Sequence, residues 1–358
     1  MMKKNYLFFL VLCTTISFIA KGQFSVTGTV IDSASREPLA GASVFCQNTT
    51  LGTATNKQGE FSLTLKSGGY DLIFSYTGYQ TQTVRISGNT KLEVLLTKED
   101  KSLGEVVIRN SFEVADGWQK YGDFFTANFI GSTPNAQQCV LSNPEVLKFF
   151  YYKRSNKLKV LAEQPLLIAN KALGYDLRYQ LDSFVYYYGT NINSYRGYCL
   201  YSEMEGADSL KKLWAANRAK TYYGSKLQFM RSYYDSTLQG DGWVIDMLDE
   251  TNETKFNKLP DPYDTLYYGG LDSTLQVEIW FPRKISITYT RKKPETEYIK
   301  KFGLPKNVST QITYIDLKDA IEIKENGYYY DQKDWVNQGY WSWKNIADQL
   351  PYDYTPDR

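Results

Sequence analysis

The residues that could carry chemistry here are carboxylates and phenols. Asp241, Asp246, Asp249 and Glu250 lie close together, with Asp261 and Asp264 just beyond. Two placed carboxylates are all that glycoside hydrolysis requires, so this cluster defines a candidate glycan-active site. Acidic residues in such loops are equally ordinary solvated turn and cap residues, and Asp241-Gly242 reads as a simple helix-to-strand turn. The cluster lacks the Asp-x-Asp-x-Asp-Gly order of a calcium loop, and Gly131-Ser-Thr-Pro lacks the lysine of a phosphate-binding loop. The chain contains 0 histidines. That excludes Ser-His-Asp and Cys-His nucleophile systems and removes the commonest zinc ligand. No metal or other cofactor is expected, and no catalytic residue is assigned.

The 31 tyrosines are the other compositional signal. Tyr186-Tyr187-Tyr188, Tyr328-Tyr329-Tyr330 and Trp341 are candidate binding aromatics, able to stack on sugars or a protein partner. Strand propensity and core packing account for the same residues without any ligand. Asp-Ser/Thr-apolar triplets place Ser33, Ser209, Ser236, Thr265 and Ser273 in the pattern of one bacterial envelope O-glycosylation acceptor. Asp-Ser pairs are also common caps and turns.

The elements that must position these groups begin after an export signal. Lys3 and Lys4 precede an apolar stretch from Tyr6 to Ala20, and Ala20-Lys-Gly22 is a small-x-small site, so cleavage is expected between Gly22 and Gln23. The apolar run is shorter than the ~20 residues that span a bilayer. Removing Lys3, Lys4 and Lys21 takes the 41 basic residues to 38 against 39 acidic. A nearly neutral protein offers no field for nucleic acid. Cys46, Cys139 and Cys199 remain, matching no metal spacing; inert buried thiols are expected, and a Cys139–Cys199 bridge is the one alternative.

From Phe24 to Thr97 apolar residues alternate with polar ones: Phe24, Val26, Gly28, Val30; Tyr70, Leu72, Phe74, Tyr76; Leu92, Val94, Leu96. Turn chemistry at Arg36-Glu-Pro-Leu39, Asn56-Lys-Gln-Gly59, Ser67-Gly-Gly69 and Ser87-Gly-Asn89 separates about seven short strands, the pattern of a β-sandwich. Residues 98–112 read as a linker containing a short apolar strand, Leu103–Ile108. From 113 to 358 strands mix with helices, an α+β region. Ser142-Asn-Pro-Glu145 carries a capping-box signature and predicts a short helix through Phe150. Leu210, Leu213 and Trp214, then Leu227, Met230, Tyr234 and Leu238, predict two helices broken near Tyr223-Gly224. A closing helix over Gly339–Leu350 should dock Trp343, Ile346 and Leu350.

Gly28-Thr-Val-Ile-Asp32, Glu37-Pro-Leu-Ala-Gly-Ala-Ser-Val44, Thr55-Asn-Lys-Gln-Gly-Glu-Phe61 and Tyr76-Thr-Gly-Tyr79 together resemble the carboxypeptidase-regulatory-like domain. That family is a transthyretin-like β-sandwich that accompanies zinc carboxypeptidases and opens many TonB-dependent receptors of Gram-negative bacteria. Asn56 stands where the family usually has aspartate. The resemblance implies an envelope location, in the periplasm or at the outer membrane. It implies no peptidase, because the two histidines of that metal site have no counterpart here. The second region, through Asn143-Pro-Glu-Val-Leu147, Trp214-Ala-Ala-Asn-Arg218, Tyr223-Gly-Ser225 and Gly339-Tyr-Trp-Ser-Trp343, resembles an uncharacterised extension of the same sandwich in other envelope proteins.

The function expected from these observations is an exported, non-catalytic envelope protein that docks to or binds an envelope protein or glycan. The alternatives are a glycan-active enzyme using Asp/Glu pairs in the second region, and a small outer-membrane protein related to receptor N-terminal modules. Membrane association is compatible with either location. The remaining length is too short for a receptor plug plus the ~22 strands of an outer-membrane transporter.

Overall fold

Strand β1 (Gln23–Asp32) turns Phe24, Val26, Gly28, Val30 and Asp32 inward, the alternation its sequence predicts. The computed structural model describes residues 22–99, 112–252, 254–272, 275–330 and 335–356. Six further strands complete the first region: β2 (Ser43–Cys46), β3 (Gly52–Ala54), β4 (Glu60–Lys66), β5 (Tyr70–Ser75), β6 (Gln82–Ile86) and β7 (Thr90–Leu96). They form two sheets, ordered β4-β1-β7 and β3-β2-β5-β6, around one apolar core. Strand β1 runs antiparallel to β4 but parallel to β7. Gly28 permits that close pairing, since a Cβ there would sit 2.1 Å from the Leu92 carbonyl oxygen.

The motifs of the sandwich are joined by one buried carboxylate. Asp32 accepts from the backbone N–H groups of Ala34 and Ser35, both at 2.8 Å, and from the Tyr79 hydroxyl at 2.6 Å. These bonds, with Lys98 nearby, hold its carboxyl down at about 2. Asn56 accepts from the N–H groups of Gln58 and Glu60 at 2.9 Å, so the amide organises the turn as an aspartate would.

The second region starts with helix α1 (Gly117–Phe129), whose buried Phe125 and Phe129 pack edge-on against Phe184 and Tyr179. They lie on a six-stranded sheet: β8 (Cys139–Leu141), β9 (Leu147–Tyr152), β10 (Lys157–Ala162), β11 (Leu166–Asn170), β12 (Tyr175–Tyr187) and β13 (Ile192–Glu203). The stretches 175–181 and 183–187 form one long strand with a register shift between Leu181 and Ser183. The helix expected after Ser142 does not form. Pro144–Val146 make a single 3-10 turn, and Leu147-Lys-Phe-Phe-Tyr-Tyr152 continues as β9. Its alternate residues enter the core while the backbone pairs along β10, a burial that local capping cannot match.

Helices α2 (Asp208–Tyr222) and α3 (Lys226–Tyr234) follow, broken at Gly224 as expected, where φ is +86°. Trp214 is buried, but Leu210 and Leu213 face solvent. The motif residues of α2 instead pin it to the loop before β12. Trp214 Nε1 donates to the Lys171 carbonyl at 2.9 Å, Asn217 Nδ2 to Ala172 at 2.8 Å, and Arg218 Nε to Leu173 at 2.7 Å. After the single turn α4 (Leu238–Asp241) come β14 (Trp243–Leu248), β15 (Phe256–Lys258), β16 (Tyr268–Gly269), β17 (Gln276–Ile279) and β18 (Ile285–Tyr289). Helix α5 (Thr296–Lys301), β19 (Gln311–Leu317), β20 (Ile321–Lys324), β21 (Trp335–Gly339) and α6 (Tyr340–Trp343) complete the elements. They build sheets ordered β15-β14-β18-β19-β21 and β16-β17-β20 over a second core. The closing helix is shorter than expected, one turn at α6 and a 3-10 turn at Ile346–Asp348, yet Trp343, Ile346 and Leu350 are buried as anticipated. All these sheets are open, and no helix among the described residues is long and apolar enough to cross a membrane.

The sandwich is built onto the second region through the outer face of its four-stranded sheet. Phe45 and Ile73, which point away from the sandwich core, are 2% and 0% exposed. The β2–β3 loop lies along the free edge of β13: Asn48 N–H donates to Cys199 O at 2.7 Å, and Tyr201 N–H to Thr49 O at 2.9 Å. The Tyr328 hydroxyl donates to Asp71 Oδ2 at 2.7 Å, and the Arg85 guanidinium lies 3.7 Å over the Tyr330 ring. The sequence 328–330, a candidate binding cluster, is therefore interior: all three rings are 1–3% exposed. Tyr328 and Tyr330 enter the core of the first sheet and Tyr329 that of the second.

Two consequences are measurable. Asp32 has a folded-state value below the usual ~3.9, so its contribution is complete above pH ~4 and is lost as pH falls toward about 2. Thermal melts of Asp32→Asn should show lower stability at neutral pH and a shallower loss between those limits than the parent. Tyr328→Phe should cost about 1 kcal/mol by denaturant unfolding and Tyr328→Ala about 3–5 kcal/mol.

Candidate functional site

Strand β13, the α2–α3 junction, β21 and the C-terminal segment enclose a cleft of about 840 Å3. Gly224 and Trp341 form its floor. Trp341 Nε1 donates to the Gly224 carbonyl at 2.8 Å, joining two motifs far apart in the chain. A Cβ on Gly224 would lie 2.5 Å from Gln311 Oε1, so this turn is reserved for glycine by both space and φ. Ser225 Oγ accepts from Gln228 N–H at 3.2 Å and Gln228 Oε1 from Gly224 N–H at 2.7 Å, so the first turn of α3 is capped reciprocally.

One end of the cleft holds a charge cluster. Lys344 Nζ lies 2.9 Å from Glu295 Oε1 and 3.5 Å from Asp348 Oδ1. Asp348 also accepts from Thr133 Oγ1 at 2.6 Å and Asn135 Nδ2 at 2.9 Å, and Glu295 from the Tyr340 hydroxyl. Burial pushes Asp348 above the ordinary carboxylate value despite Lys344. Burial pushes Glu295 up too, but the Lys344 charge and the Tyr340 hydroxyl outweigh it and leave its carboxyl below the ordinary value. Both carboxylates are thus bound up around one ammonium. Lys292 Nζ donates to the carbonyls of Lys220 and Tyr223, at 2.7 and 3.3 Å, at the C-terminus of α2, where the helix dipole favours a cation.

At the other end Lys226 Nζ donates to the Tyr329 hydroxyl at 2.7 Å, and burial lowers the pKa of its ammonium. Tyr329, Trp335 and Trp341 form a run of rings with centroid separations of 5.8 and 6.4 Å. Asn48, Asn135, Asn193 and Asn217 add amides to the lining.

Of the candidate aromatics, only Tyr329 and Trp341 reach this cleft, and both are largely interior. Tyr186 is buried in the first core, Tyr188 is half-buried against Phe124, and Tyr187 is 43% exposed. Asp241, Asp246, Asp249, Glu250, Asp261 and Asp264 do not line the cleft. Asp246 lies within β14, and the other five serve turns and exposed pairs. Asp241 accepts from Ser232 and Thr237 hydroxyls, Asp261 from Tyr263 N–H and Asp264 from Leu266 N–H. Glu250 meets Arg283 at the surface. Asp249, holding Thr251, Asn252 and Asn257, sits at about 2, the state of a capping carboxylate and the opposite of a raised general acid. The three described cysteines are free, so Cys139 and Cys199 are not bridged, and burial raises the thiols of Cys46 and Cys199. Among the acceptor-pattern residues Ser209, Ser236 and Thr265 are exposed and Ser33 is half-buried beside Thr97. Ser273, the Gly22–Gln23 junction's leader and the Leu103–Ile108 stretch lie outside the described residues.

Comparison with known proteins places the resemblance in the first region alone. Residues 26–108 match the family model of the CarboxypepD_reg-like domain. TonB-dependent receptor P39 of Formosa agariphila is 35% identical over 115 residues, 32% of this chain and 10% of the receptor. TonB-dependent receptor SusC of Bacteroides thetaiotaomicron is 34% identical over 113 residues, 30% of this chain and 11% of the receptor. The chain therefore spans about a tenth of the receptors it matches. A DUF3823 family protein from Bacteroides ovatus, 12% identical, covers 52% of this chain and 83% of its own at a TM-score of 0.18, too low to carry an argument.

The Lys344 cluster is open to direct test. Lys344→Met strands the buried Asp348 and the half-buried Glu295 and should cost about 3 kcal/mol. Adding Glu295→Gln and Asp348→Asn should recover most of that loss, as read from urea unfolding at neutral pH.

Proposed function

We propose that this chain is an exported, non-catalytic protein of the Gram-negative envelope that holds a glycan in the cleft of its second region. The observation that carries this reading is the cleft's lining. It sets amides, hydroxyls and ammonium groups around a floor of indole and phenol rings, the mixture that suits a polyhydroxylated ligand. Its two clustered carboxylates are locked around Lys344, which leaves neither poised as acid or base. The envelope location is supported by the receptor relatives of the first region and by the leader-like start of the sequence. In this reading the sandwich is a fixed buttress for the second region, and its three-stranded outer sheet is the face left for an envelope partner.

The test is a glycan array probed with residues 23–358, followed by prolonged incubation of any bound glycan with the protein. Binding without release of new reducing ends is the expected outcome. New reducing ends that co-purify with the folded protein would overturn the non-catalytic assignment, and an array with no binding would overturn the ligand.

A further inference from the structure

The cleft lining carries six basic side chains, Arg196, Lys220, Lys226, Lys292, Lys318 and Lys344, against three carboxylates, Glu295, Asp316 and Asp348. An ammonium group carries three donors. Lys344 spends its charge on Glu295 and Asp348, at 2.9 and 3.5 Å. Lys226 at the opposite end has the Tyr329 hydroxyl as its acceptor, at 2.7 Å, and among the described residues no carboxylate lies within ion-pair distance. A half-buried ammonium whose acceptor among the described residues is one neutral hydroxyl keeps donors for an anion. Lys226 lines the cavity, and an anion there would supply the counter-charge that no described carboxylate provides.

We infer that the cleft takes an acidic, hydroxyl-rich ligand whose carboxylate or phosphate pairs with Lys226. This rests on the glycan-binding reading above and adds the charge of the ligand and the residue that selects it. An anionic group there gains a charge-assisted bond in a partly dry site, while the hydroxyls of the same molecule meet the amide lining.

Titration calorimetry of the mature chain with D-glucuronate, D-glucose and inorganic phosphate separates the terms, because the two sugars differ at one carbon's oxidation state. D-glucuronate should bind about tenfold or more tighter than D-glucose. Lys226→Met should abolish that preference, and Lys226→Arg should keep most of it, with thermal melts confirming that both variants fold. Phosphate binding that depends on Lys226 and competes with glucuronate would identify phosphate as an alternative source of the anion and support the site. Equal affinity for both sugars would overturn this inference and leave the glycan-binding reading standing. Absence of binding by all three would overturn the inference together with that reading.

Discussion

Three consecutive phenols hold this molecule together. Successive residues of an extended segment point to opposite sides, so Tyr328 and Tyr330 fill the core beneath the first sheet while Tyr329 fills the second. The same segment reaches the sandwich through the Tyr328–Asp71 hydrogen bond and the stacking of Arg85 on Tyr330. Two separately built apolar cores thus share one short strap, which is also tied to the sandwich. Each ring contributes a large buried area, and the two hydroxyls toward polar partners fix which way the strap faces. Displacing it would expose both cores of the second region and break its polar tie to the sandwich, which makes the assembly one structural unit despite its two-part sequence.

The cleft is a product of that assembly. Its wall is Tyr329 from the strap, its floor the Trp341–Gly224 contact, and its far end the Glu295–Lys344–Asp348 cluster. The groups around it come from segments distant in the chain, and each has a packing role besides facing the cavity. A site of this kind is rigid because its lining residues also serve as core residues, and the polar atoms that remain unmatched are left so by the surrounding packing.

Much of the sandwich was legible because its physics is local. Period-two alternation places β1, β5 and β7, and the turn residues around Asn56 and Gly59 separate them. The burial of Phe45 and Ile73 was not legible, since nothing nearby distinguishes a covered outer face from a wet one. Capping signatures were ambiguous for a different reason. Ser142-x-x-Glu145 and Ser225-x-x-Gln228 are the same signal, yet only the second starts a helix, because the aromatic run after Ser142 gains more from pairing with β10. Helix α1 was readable in Trp118, Tyr121, Phe125 and Phe129 at helical spacing, a period masked by the glycines at 117 and 122. The cleft was not readable at all. Lys226, Lys292, Glu295, Lys344 and Asp348 are unremarkable in sequence and acquire meaning only when the two sheets meet.

The parallel pairing of β1 with β7 gives the sandwich a mechanical character. The two strands run side by side from Val26 and Thr90 to Asp32 and Leu96. A tension applied between the N-terminal end of β1 and the C-terminal end of β7 therefore loads their ladder bonds along the strand direction, all together. Antiparallel neighbours joined by a hairpin would open like a zipper, one bond at a time. The module thus resists a pull applied along the chain through this ladder more than a hairpin of the same length would.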